Sequence, residues 1–115
     1  MTLFRVFLGG CFLAIVAYTS ATIVNHGWSL FDVFFGDMAK MGWPGQFNLD
    51  FMTLLMLSGL WTAWRNRFSP AGLALGLVAF VGGMGFQSLH LLYLSTRPGA
   101  DVQSILLGAN DPRRA

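Results

Sequence analysis

Apolar positions fill three long stretches of the chain, separated by short groups of polar, glycine and proline residues. The first, Leu3 to Val24, is interrupted only by Arg5. At 1.5 Å per residue, its 22 residues make a helix of about 33 Å, enough for a bilayer core of about 30 Å. The second runs from Leu49 to Trp64 behind Asn48, a good N-cap type, and its polar positions are Asp50, Thr53, Ser58 and Thr62. It covers only about 24 Å, so either Phe47 and Phe68 complete its apolar length or the membrane thins locally. The third runs from Pro70 to about Ser95, opened by Ser69-Pro70 and closed by Arg97-Pro98-Gly99. The pattern predicts an all-α membrane protein with transmembrane helices over 3–24, 49–64 and 70–95. Together with a tail over 96–115 they form a single membrane domain.

The segment between the first two spans has a different period. Phe31, Phe34, Phe35, Met38 and Met41 follow the three-and-four spacing of one helix face, with Asp32, Gly36 and Lys40 on the other. Ser29 and Asp32 have the spacing of a capping box, and Gly42-Trp43-Pro44 reads as a stop. Residues 29–41 are too few to cross a bilayer, so an amphipathic interfacial helix is expected there, as an anchor or lid or as a contact for a substrate or partner. In the tail, Asp101 to Leu107 predicts one more helical turn, and Asn110 to Ala115 is expected to fray.

Composition agrees with lipid as the solvent. The 115 residues are 55% hydrophobic and only 10% charged, where a soluble domain carries about 25% charge. The 15% aromatic content argues against disorder, and the single cysteine, Cys11, excludes an internal disulfide framework. Seven basic residues scattered from Arg5 to Arg114 form no concentrated footprint along the sequence, so no nucleic-acid partner is expected. Leu8-Gly9-Gly10-Cys11 superficially resembles a lipoprotein box and Thr19-Ser20-Ala21 a signal cleavage site. Only about five apolar residues precede Cys11, fewer than the roughly 7 to 15 of a signal h-region, and the segment is expected to be a retained helix. Arg5, Arg65 and Arg67 would face the cytoplasm under the positive-inside rule, with Lys40, Arg97, Arg113 and Arg114 opposite. This predicts a cytoplasmic N-terminus and a periplasmic C-terminus.

Small residues form stripes on two spans. Gly72, Gly76, Ala79 and Gly83 share a sector of the third with Gln87 and His90, about 80° wide, and Gly10, Ala14, Ala17 and Ala21 share one of about 60° on the first. Such stripes allow close backbone approach between membrane helices, so the two faces are expected to meet each other. A rival is pairing between subunits through Gly82 and Gly85. The methionines Met52 and Met56 read as packing material rather than copper ligands.

Polar residues at membrane depth usually partner one another and often mark a site. The expected topology gathers Asn25, His26, Asp50, Gln87, His90 and Tyr93 toward the outer leaflet. Asp50, one residue inside the Asn48 cap, has the plain role of complementing the helix dipole, or else partners His90 or Arg97. His90 has the plain role of a hydrogen bond to Gln87, Asp50 or backbone; the alternatives are ligation of a haem, pigment or metal, or contact with a proton or small ligand. His26 and His90 lack metal-ligand spacing, no serine lies in a nucleophile turn, and the glycines sit inside an apolar helix rather than in a phosphate loop.

The run Trp43-Pro44-Gly45-Gln46-Phe47-Asn48-Leu49-Asp50-Phe51, followed by Trp61, Trp64-Arg65 and a glycine-rich final span, resembles a family of small bacterial three-helix integral membrane proteins of unknown function. The likeness covers roughly Asn25 to Leu94. It implies the three-helix architecture and a bacterial cytoplasmic-membrane location, and no activity. The expected function is that of a non-enzymatic membrane protein packing as a homo-oligomer or as an accessory subunit of a larger membrane complex. The alternative is a binding or transport module whose polar cluster holds a small ligand, a proton or a cofactor.

Overall fold

The computed structural model describes residues 1–114, and no strand occurs among the described residues. Five helices follow one another: α1 (Thr2–His26), α2 (Leu30–Ala39), α3 (Trp43–Arg65), α4 (Pro70–Ser95) and α5 (Val102–Leu107), then two 3₁₀ turns, Gly108–Asn110 and Pro112–Arg114. By length and composition α1 and α4 are apolar enough to cross a membrane. α3 has the length, with Gln46, Asn48 and Asp50 in its first half.

α3 begins well before the expected start. Trp43-Pro44 opens the helix instead of stopping its predecessor, with extended Gly42 as the N-cap. Proline suits this place because a first-turn N–H has no intrahelical partner to lose. Asn48 is therefore not a cap: it lies inside α3 and donates from Nδ2 to the Phe34 carbonyl of α2 at 3.0 Å. Asp50, placed more than a turn from the helix start, is too deep for the expected dipole role and has an exposed side chain. α2 forms where expected, but Ser29 makes no side-chain cap bond. It lies against α3 at Gly45, where an added Cβ would meet the Met38 Cα at 2.8 Å.

The largest departure is in α4. Gly83 has φ 57° and ψ −143°, a backbone conformation essentially reserved for glycine, and it breaks the helix. Before the break, α4 runs antiparallel to α3: Gly76 opposes Gly59, and Gly83 reaches Leu55 and Phe51 nearer the start of α3. After it the chain doubles back, since Gln87 bonds Ser58 and Thr62, and the His90 ring lies 6.3 Å from that of Trp61. The arms 70–82 and 84–95 measure about 20 and 18 Å, each short of a bilayer core of about 30 Å. The expected straight third span is thus a helical hairpin.

α1 runs antiparallel to the returning arm, with Ile15 beside Gly85 and Arg5 bonded to Ser95. The two small stripes do not meet. Gly72, Gly76, Ala79 and Gly83 are buried, with Gly72, Gly76 and Gly83 set against α3, whereas Gly10, Ala14, Ala17 and Ala21 on α1 are exposed. α1 turns Phe4, Leu8, Phe12 and Ile15 inward instead, a stripe of larger side chains with Ile15 beside Gly85.

Because α4 returns to the end from which it starts, both chain ends share that end of the bundle. This corrects the expected opposition of N-terminus and tail. It also corrects the impression of scattered charge: Arg5, Arg65, Arg67, Arg97, Arg113 and Arg114, six of the seven basic residues, gather there with Asp101 and Asp111. Lys40 and the three other acids, Asp32, Asp37 and Asp50, lie toward the opposite end, on and around α2 and the first half of α3.

Candidate functional site

The hairpin divides the expected polar cluster. Asn25 and His26 end α1 and Asp50 is in the first half of α3, all exposed at the α2 end. Gln87, His90 and Tyr93 descend the returning arm toward the basic end. Asp50 therefore has neither His90 nor Arg97 as a partner.

What the fold does bring together is a polar seam between α3 and α4. Gln87, 7% exposed, donates from Nε2 to Ser58 Oγ at 2.8 Å and to Thr62 Oγ1 at 2.7 Å. Thr62 Oγ1 donates in turn to the Ser58 carbonyl at 2.8 Å. Gln87 Oε1 lies 3.1 Å from His90 Nδ1. That oxygen can only accept, so Nδ1 carries the proton in this contact. The imidazole stacks on Phe86 with centroids 5.2 Å apart. Ser58 and Thr62 share one face of α3, a signal present in the sequence, but a straight third span sets Gln87 beside Asp50 in the first half of α3 rather than beside them.

The tail builds the floor below the seam. Arg65, 7% exposed, reaches past the end of α3 and donates from Nε to the Ile105 carbonyl at 3.0 Å. Trp61 Nε1 donates to the Leu106 carbonyl at 3.0 Å, and Asn110 Nδ2 to the Trp64 carbonyl at 2.8 Å. Trp61 and Arg65 thus hold α5, whose unpaired last carbonyls need donors. Gly108 allows this close approach, since a Cβ there would fall 2.6 Å from the Arg65 carbonyl.

The expected fraying after Asn110 is not found over the described residues, and Ala115 lies outside them. Arg113 bridges Asp101 and Asp111, at 2.8 and 2.9 Å. Asp101 also caps α5 in a reciprocal pair with Ser104. Hydrogen bonds from Arg113, and next from the Ser104 backbone, hold the Asp101 carboxyl well below the usual carboxylate range. Arg113 does the same to Asp111, and the two carboxylates push the guanidinium up.

A cavity of about 510 Å³ opens between the returning arm, the end of α3 and the tail. Arg65, Arg97 and Arg114 line it with His90 and Tyr93, and among the described residues no carboxylate contributes to its wall. No group of three or more His, Cys, Asp or Glu side chains close enough to share a metal ion occurs among the described residues. No protein family, curated protein or solved structure matches this chain.

Proposed function

We propose that this chain is a non-enzymatic integral membrane protein of the bacterial cytoplasmic membrane that assembles through α1 with a second copy or with a larger membrane complex. α1 and α3 cross the bilayer, α4 enters and returns as a re-entrant hairpin, and α2 lies on the periplasmic surface. Both termini face the cytoplasm. The concentration of six of seven basic residues at one end supports this orientation, because cytoplasmic flanks carry an excess of arginine and lysine. The likeness of the Trp43 to Phe51 run to small bacterial membrane proteins agrees with the location.

One observation carries the assembly reading. Among the described residues α1 packs chiefly against α4, and the stripe Gly10, Ala14, Ala17, Ala21 is exposed. Membrane helices associate where small residues let backbones approach, and this stripe has the spacing for it without a partner inside the chain. The test is the particle mass in mild detergent, with co-purifying subunits recorded. The 12.6 kDa chain is expected in a particle larger than one copy, reduced to one copy by the pair Ala14→Leu and Ala17→Leu. A wild-type particle of one chain with nothing bound would refute the reading.

A further inference from the structure

Among the described residues, no carboxylate completes the charge balance of the cavity at the basic end. Two acids share this end, Asp101 and Asp111, and both are engaged by Arg113. Arg65 is left with neutral acceptors only, the carbonyls of Ile105 and Ser104. Arg97 bonds the Tyr93 hydroxyl at 2.7 Å and covers its ring, again without a carboxylate. Arg114 lines the same space. A guanidinium as buried as that of Arg65 retains strong attraction for an anion, since burial weakens the competing hydration and the screening by salt.

The walls are not uniformly polar. Leu75, Leu94 and Ile105 line the cavity beside the three arginines. A volume of about 510 Å³ lies within the roughly 300–1,000 Å³ of small-molecule sites. Arginine forks match the oxygens of phosphate, with two parallel N–H bonds to one group. Where α1 and α3 cross a membrane, this cavity sits at the cytoplasmic headgroup level, the leaflet surface rich in anionic lipid.

We propose that the cavity is a binding site for a phosphate-bearing anion, with Arg65, Arg97 and Arg114 as its charge-bearing contacts and the leucine and isoleucine wall accepting the apolar part of a lipid. The shared chemistry is the phosphate group, carried by an anionic phospholipid or free in solution. The site does not depend on α1 assembly, because α1 contributes no residue to the cavity wall.

The test uses the full chain in neutral detergent. Short-chain phosphatidylglycerol, short-chain phosphatidylcholine and inorganic phosphate are each titrated while the thermal midpoint and the bound mass are followed. Saturable binding of phosphatidylglycerol, at least tenfold tighter than phosphatidylcholine and weakened at least tenfold by the pair Arg97→Gln and Arg114→Gln, is the expected result. Both residues are exposed, so the pair is expected to fold, and an unchanged helical circular dichroism spectrum checks it. Saturation by inorganic phosphate with the same dependence on the two arginines also supports the site and assigns the anion to solution. Equal binding of both lipids without phosphate binding, or binding unchanged by the two substitutions, overturns the proposal.

Discussion

Arg5 and Ser95, 90 positions apart, meet at one end of the bundle: Arg5 Nη2 donates to the Ser95 carbonyl at 2.6 Å and Nε to its hydroxyl at 3.2 Å. The last turn of α4 thus lies beside the first turn of α1, at the same end as Pro70, where α4 begins. The guanidinium satisfies a carbonyl that the helix end leaves unpaired and opposes the negative pole of the helix dipole. Arg5→Ala is expected to lower stability by about 1 kcal/mol in detergent unfolding, with Arg5→Lys recovering part of the loss. An unchanged unfolding curve would show the contact to be idle.

Gly83 makes the return possible. Any L side chain at φ 57°, ψ −143° is strained, and a Cβ would also touch Leu55 and Phe51 at 3.4 Å. Gly83→Ala is expected to cost about 1–3 kcal/mol, more than Gly85→Ala, whose backbone is not in the left-handed region and whose added Cβ would make only ordinary contact with Ile15 at 3.7 Å. Equal effects of the two substitutions in a thermal melt would count against the break.

Gly59 and Gly76 set the distance between α3 and the outgoing arm. A Cβ on either would lie 2.8 Å from the other's carbonyl oxygen, and backbone cannot give way as a side-chain tip can. Gly76→Ala is expected to destabilise by about 1–3 kcal/mol through overpacking. A Cβ added at Gly36 of α2 has nothing within 4 Å to strike, so Gly36→Ala serves as the neutral comparison. Equal losses from the two substitutions in a thermal melt would contradict the close approach.

The tail clasp has a defined pH response. Asp101 and Asp111 are held below their ordinary value in the folded chain, so the unfolded chain binds protons first as pH falls. The clasp is fully present above about pH 3.9, the unfolded carboxylate value, and is lost only as pH falls through the lower folded values. Hydrogen exchange of residues 101–114 is expected to stay constant from pH 7 to about 5 after correction for intrinsic rates, and to rise throughout that range in Arg113→Ala. Loosening of the wild-type tail near pH 6 would refute the assignment.

Much of this fold was legible from periodicity. The apolar run of α1, the amphipathic α2 and the Asp101 to Gly108 turn stand within a few residues of their expected places. Two glycine and proline signals were ambiguous. Pro44 can end one helix or begin the next, and only the α2 contact at Gly45 selects the second. Gly82-Gly83-Met84-Gly85 at the middle of a 26-residue apolar stretch fits a packing stripe as well as a break. The choice depends on what the second half can bury: folded back, it satisfies Gln87 against Ser58 and Thr62, a contact invisible to a straight-helix projection. Everything expected of the polar cluster inherited that register, so half its members moved to the other end.

The most direct test of the folded-back α4 is sided thiol labelling in intact cells. In a Cys11→Ala background, single cysteines are introduced by Thr2→Cys, Trp28→Cys and Val102→Cys, all at exposed positions, and treated with a membrane-impermeant maleimide before and after permeabilisation. The hairpin predicts that Thr2→Cys and Val102→Cys label only after permeabilisation while Trp28→Cys labels in intact cells. Labelling of Val102→Cys together with Trp28→Cys would mean that α4 crosses the membrane as a third span and would contradict the account.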